Sequence, residues 1–266
     1  MIRTLVSIEV DLASSLAIRF ACQLGGLLDM EIHPIYVKES PSHDSAWGVG
    51  WASRTWEREM IEQGKEEISK MIAPEVDFCP TLFDPRVVYG DRHSEVLKVA
   101  QESGFDLYLE GVDFQWTLPD LHKLAHIKFY QRLTCPLILV QSLRKMKRVL
   151  VLCLDISGTA ALTRTFAKIW KGSSVPLVLA YPGDRGSGPE GSGLKEKVLE
   201  SVQALEKAGC VVEHKQLDPE VFSKPTEDNL KDYGLVAIAL ERAVRKDNVG
   251  LEWLSLVKTA SLITFY

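Results

Sequence analysis

Nowhere does the sequence run to the roughly 18 consecutive apolar residues that a membrane-spanning helix needs. The opening decapeptide MIRTLVSIEV also lacks the long apolar core and small-residue cleavage site of a secretory signal. A cytoplasmic protein is the expectation, with no membrane partner. Cationic excess is missing too: the net charge is -5, whereas binding a duplex rests on a basic face that neutralises phosphates. Nucleic acid is therefore set aside as a ligand. The five cysteines, Cys22, Cys79, Cys135, Cys153 and Cys210, never form Cys-x-x-Cys, are widely spaced and sit mostly in apolar runs. That pattern predicts reduced core residues.

What is present is an ordinary globular balance, 46% hydrophobic and 25% charged over 266 residues, enough for two domains that each bury a core. The run IRTLVSIEV (2–10) has the β-branched apolar character of a strand, and ASSLAIRFACQLGGLL (13–28) carries apolar residues at helical spacing. Strand MEIHPIYV, a helix across Trp56–Ile72, strand PRVVY, helix HSEVLKVAQES, strand DLYLEG, a helix near Leu121–Leu133 and strand PLILVQS follow. Strands alternating with helices imply a parallel sheet covered on both faces.

A basic stretch, SLRKMKRVL (142–150), reads as a solvated linker, and beyond it the pattern begins again. The segment 148–170 can be laid on 3–24 with one small gap, so that Leu16, Phe20 and Ala21 meet Leu162, Phe166 and Ala167. Two domains are expected, 1–143 and a shorter, more divergent 147–266.

Five strands in this order, an Ala- and Ser-rich first helix, the run VVYGDRHSEVLKVAQESGFDLYLEG and the later TCPLILV resemble the universal stress protein family. The resemblance covers residues 1–141 and, more faintly, 147–266. It implies two Rossmann-like open five-stranded sheets of order 3-2-1-4-5, with helices on both faces. A tandem chain would pair its own two domains as a pseudo-dimer through the last strands. A homodimer or a further protein partner on those strand edges is the other expectation.

Family members that bind ATP carry Gly-x-x-Gly after the fourth strand and Gly-Ser or Gly-Thr about nine residues on, where bare backbone N–H groups and a helix N-terminus meet the phosphates. Here Gly111 fits the first glycine, Phe114 stands at the second, and Lys123-Leu124 replace the later pair. Loss of two charge-assisted bonds, each about 1.5–3 kcal/mol, weakens binding by roughly 10²–10⁴-fold. The family's acidic residue after the first strand has matches in Glu9, Asp11 and Asp155, though Asp11 and Asp155 also suit helix N-caps. The resemblance thus implies a non-catalytic stress-response module with no cofactor and a remnant pocket of Glu9, Asp11, Gly111, Lys123 and Asp155. The alternative is an ATP-binding or weakly ATP-hydrolysing protein that uses Gly111, Lys123 or Asp155.

Other motifs are weaker. The glycine-rich run 183–193 lacks Gly-Lys-Ser/Thr and predicts a surface loop. His122 and His126 have the i, i+4 spacing of a zinc pair but no third ligand, so no metal is expected. Trp47, Trp51 and Trp56 are candidates either for packing or for an aromatic ligand or partner surface at the strand ends.

Overall fold

The computed structural model describes residues 1–39, 51–76, 78–113, 116–183 and 189–266. In the first half, β1 (Ile2–Ile8), β2 (Met30–Glu39), β3 (Arg86–Gly90), β4 (Leu107–Gly111) and β5 (Leu137–Val140) alternate with α1 (Leu12–Gly25), α2 (Trp51–Val76), α3 (Arg92–Ser103), α4 (Leu118–Ala125) and α5 (Lys128–Arg132). The second half adds β6 (Val149–Leu152), β7 (Leu177–Pro182), β8 (Val212–Leu217), β9 (Leu235–Leu240) and β10 (Ala260–Phe265). Its helices are α6 (Ile156–Ile169), α7 (Pro189–Lys207), α8 (Pro219–Ser223) and α9 (Val249–Ser255).

Both halves follow the expected 3-2-1-4-5 order, but they do not form two separate sheets. The order β3-β2-β1-β4-β5-β10-β9-β6-β7-β8 makes one ten-stranded sheet. Every neighbouring pair is parallel except β5 with β10, which meet antiparallel with Ala260 opposite Val140 and Ile263 opposite Leu137. Those last strands are buried along most of their length, so pairing satisfies their backbone groups without water. The last-strand edges are thus closed to a further partner; the outer edges are β3 and the charged β8.

Side-chain alternation divides the core. Val6, Leu109, Ile138, Leu262, Ala237, Val151 and Leu179 point to one face, where a single cluster runs across the junction beneath α1 and α6. Leu5, Tyr108, Leu139 and Ile263 point to the other face.

Four further expectations need correction. The helix near Leu121–Leu133 is two helices, because α4 ends at His126 and α5 restarts after Ile127. The run 183–193 is not all loop: α7 begins at Pro189, a favoured residue for a first helical turn. Cys22 and Cys79 are not both free thiols but a disulfide between α1 and the segment before β3, with Cα atoms 5.4 Å apart. That separation suits a bridge, whose usual range is about 4.4–6.8 Å. Finally, Asp11 and Asp155 cap α1 and α6 alike, and both helices have 14 residues. The structural register therefore sets Phe20 against Arg164, not Phe166.

Candidate functional site

The carboxyl ends of β1 and β4 meet the start of α3 and form a charged cluster that sequence reading missed. Asp91 caps α3 through the Ser94 N–H, 2.9 Å away, which fixes Arg92 at the first helical position. The Arg92 guanidinium pairs with Glu9, donates to Ser7 Oγ at 3.3 Å and lies 3.9 Å from Glu110 Oε2. Glu110 is buried and accepts the Tyr108 hydroxyl at 2.6 Å and the Tyr130 hydroxyl. Burial, reinforced by the Glu110 charge, pushes both phenols well above their ordinary range, so they stay protonated donors. Burial alone would lower Arg92, but the negative groups around it outweigh that and hold it above its usual value. Beside this cluster, Glu67 of α2 accepts from Tyr36 at 3.1 Å and from Lys38 at 2.7 Å.

Gly111 ends β4 directly beneath the first turn of α1. A Cβ there would lie 1.9 Å from the Ala13 carbonyl oxygen and 2.3 Å from its carbon. The absent side chain makes room for the protein's own helix. Asp11 holds that helix in place by accepting the Ser14 N–H at 2.7 Å, and the Ser14 hydroxyl accepts the Glu9 N–H at 2.7 Å. Phe114 lies outside the described residues, while Lys123 lines a cavity of about 480 Å³ with His122 of α4 and Lys246 from the other half.

In the second half the corresponding crevice is aliphatic. A Cβ at Gly250 would meet Ile238 Cδ1 at 2.0 Å and Leu154 Cδ1 at 2.8 Å, and Leu240, Val244 and Leu251 are buried around them. Asp155 is fully engaged: Oδ1 accepts the Gly158 N–H at 2.7 Å and Oδ2 the Tyr266 hydroxyl at 2.8 Å. Burial first, and then Asp155, raises the Tyr266 phenol.

The sequence-derived residues therefore do not converge on one pocket. Glu9 faces Arg92, Asp11 and Asp155 are caps, Gly111 is a packing glycine, and Lys123 belongs to a separate cavity. Trp47 lies outside the described residues, and only the backbone of Trp51 is described, at the start of α2. Trp56 meets Tyr89 of β3 edge-on at 5.1 Å, which is packing against the sheet rim. The His122 and His126 rings lie 4.4 Å apart and tilted by 36°, and among the described residues no group of three or more His, Cys, Asp or Glu could hold a metal. No described helix is long and apolar enough to cross a membrane. The signal for the Arg92 cluster was a glutamate inside an otherwise apolar, buried strand, since a carboxyl there requires partners.

No protein-family model matches the sequence, and no curated protein does. Solved structures do. A universal stress protein from Archaeoglobus fulgidus is similar over 99% of this chain and 98% of its own, at 12% identity and TM-score 0.62. The fold is that of the universal stress proteins. A protein of Pseudomonas aeruginosa described as one of them covers 99% and 92% at 13% identity and TM-score 0.56. The cytoplasmic domain of a prokaryotic cation chloride cotransporter matches 98% of this chain and 94% of its own, at 8% identity and TM-score 0.52. The universal stress protein architecture thus extends over both halves, and these identities speak for fold alone.

Proposed function

We propose that this chain is a non-catalytic binding or regulatory protein of the universal stress protein type, acting in the cytoplasm, whose two nucleotide crevices are closed by the chain itself, with backbone in the first half and side chains in the second. The observation that carries this reading is the Ala13 carbonyl seated on Gly111, where a phosphate would otherwise approach. The Arg92 cluster supports it at the base-facing end, because an ATP adenine near Glu9 would have to break the Arg92–Glu9 pair in a partly buried site. In the second half the crowding at Gly250 comes instead from side-chain ends, Ile238 Cδ1 and Leu154 Cδ1.

Equilibrium titration of labelled ATP into freshly purified protein tests the proposal. The expected outcome is no saturable binding that Lys123→Ala removes, up to about 1 mM, a limit near -4 kcal/mol. Low-micromolar affinity lost on Lys123→Ala would overturn it. One observation favours that alternative of ATP held in an altered manner: Lys123 and Lys246 share one cavity, although two flexible ammonium groups offer point charges and not an ordered array of donors.

A further inference from the structure

The two repeats differ on one helix face. Counted from the caps Asp11 and Asp155, Phe20, Ala21 and Leu24 of α1 correspond to Arg164, Thr165 and Lys168 of α6. The first three are completely buried in the core. Their counterparts are solvent-accessible, and all three line a groove along the seam where the halves join. One part, of about 370 Å³, lies between α6, the end of β10 and the segment that enters β5. It continues past Thr134, Cys135 and Arg164 into a second part of about 220 Å³. Sites for small molecules occupy about 300–1,000 Å³.

Three arginines from three elements line the larger part: Arg132 at the end of α5, Arg164 of α6 and Arg242 after β9. Among the described residues, neither the Arg132 nor the Arg164 side chain makes an ion pair or hydrogen bond. Arg242 donates to the Gln131 carbonyl, and the Gln131 amide returns a 2.7 Å bond to the Arg242 carbonyl, so this corner is braced before any ligand arrives. Of the nearby carboxylates, Asp106 lines the smaller part of the groove and is paired there with Lys168 at 2.5 Å, and Asp155 holds the Gly158 N–H and the Tyr266 hydroxyl. Glu241, whose charge acts on Tyr266, does not line the groove. Cys135 stays a neutral thiol, because burial and the Asp106 charge push it up to about 12.

We propose that this seam groove binds a small phosphorylated metabolite through Arg132, Arg164 and Arg242. Guanidinium forks match phosphate oxygens two at a time. The hydroxyls of Thr165 and Thr264 supply neutral partners along the same wall. The site exists only where the two halves meet, which gives the fused architecture a use that a single domain would not have.

Calorimetric titration of inorganic pyrophosphate into the intact chain, at about 50 mM salt to limit screening, tests the assignment. Saturable binding is expected, weakened at least about tenfold by Arg164→Ala and less by Arg164→Lys, as loss of a bidentate charged contact requires. Both variants should melt with the parent protein in the absence of pyrophosphate, since Arg164 is exposed. No saturation up to about 1 mM, or unchanged affinity in Arg164→Ala, would overturn the inference. So would a loss that follows Lys123→Ala, because that residue lines a different cavity. These outcomes leave the closed crevices standing; ATP binding that depends on Lys123 would remove that reading without touching the groove.

Discussion

Replacing Gly111 by alanine separates a packing glycine from a phosphate glycine. The new Cβ would stand 1.9 Å from the Ala13 carbonyl oxygen, well over 1 Å inside an ordinary contact of roughly 3.5 Å. The obstacle is backbone at the start of a 14-residue helix and cannot rotate away. Relief requires α1 to slide, which disturbs Ala17, Phe20 and Ala21, all fully buried. Overpacking costs about 1–3 kcal/mol, and a rigid backbone neighbour places Gly111→Ala at the upper end. For 266 residues, with about 2.1 cal/mol/K of unfolding entropy per residue, about 3 kcal/mol lowers Tm by roughly 5 °C. Thermal unfolding by circular dichroism reads this directly. Gly193→Ala is the internal control, because Gly193 lies within α7 with only Ile156 Cδ1 near, at 3.4 Å. There the gain in helix propensity, about 1 kcal/mol, should raise Tm. If Gly111→Ala melted with the parent protein, the end of β4 would have room for a side chain, and the argument that α1 closes it would fail.

Two other outcomes follow from covalent and charge links. The Cys22–Cys79 bridge spans 57 residues, so in the chain-entropy account its reduction removes up to about 4 kcal/mol; urea unfolding with and without dithiothreitol should shift accordingly, and the Cys22→Ala/Cys79→Ala variant should show no dependence on reductant. The Asp106–Lys168 pair joins the start of β4 to α6. Burial alone would raise Asp106, but the Arg3 N–H and the Lys168 ammonium outweigh it and hold the carboxyl below its usual value. A depressed folded value contributes stability above the unfolded aspartate value of about 3.9 that is lost as pH falls through the folded one. Lys168→Met should therefore move acid unfolding to higher pH, and an unchanged midpoint would show that the pair does not link the halves.

Strands and helices were legible because their periodicities, two and 3.6, are local properties of the chain. Val6 and Leu109 alternate with Leu5 and Tyr108 on the two faces as their spacing predicts. The antiparallel β5–β10 seam was not legible in its pairing detail, since LILV and ASLITF are both nearly continuous apolar runs that carry no register. The disulfide was hidden for a related reason: 57 residues separate its cysteines, and only the packing of α1 against the segment before β3 brings them together. At the candidate site, the sequence singled out Glu9 and Gly111 but not Arg92, Glu110, Tyr108 or Tyr130, which the structure gathers around Glu9. Gly111 lacks a side chain for an approaching backbone, and that backbone is α1.

The internal repeat shows how the same information misled and could have informed. Matching apolar residues set Phe20 on Phe166, because similarity of side chains was the criterion; matching the caps sets Phe20 on Arg164. In the first register the two helices appear to do the same work. In the second, an arginine stands where the sister helix buries a phenylalanine at no exposure, with threonine and lysine beside it where that helix buries alanine and leucine. Two charged residues and a threonine at these positions cannot be a core, and they need not be, since Phe166, Ile169 and Trp170 bury that helix instead. The α6 face thereby released from packing is what lines the seam groove, so the divergence of the second repeat is a redistribution of burial that leaves the Arg164 guanidinium available to an anion while Lys168 holds Asp106.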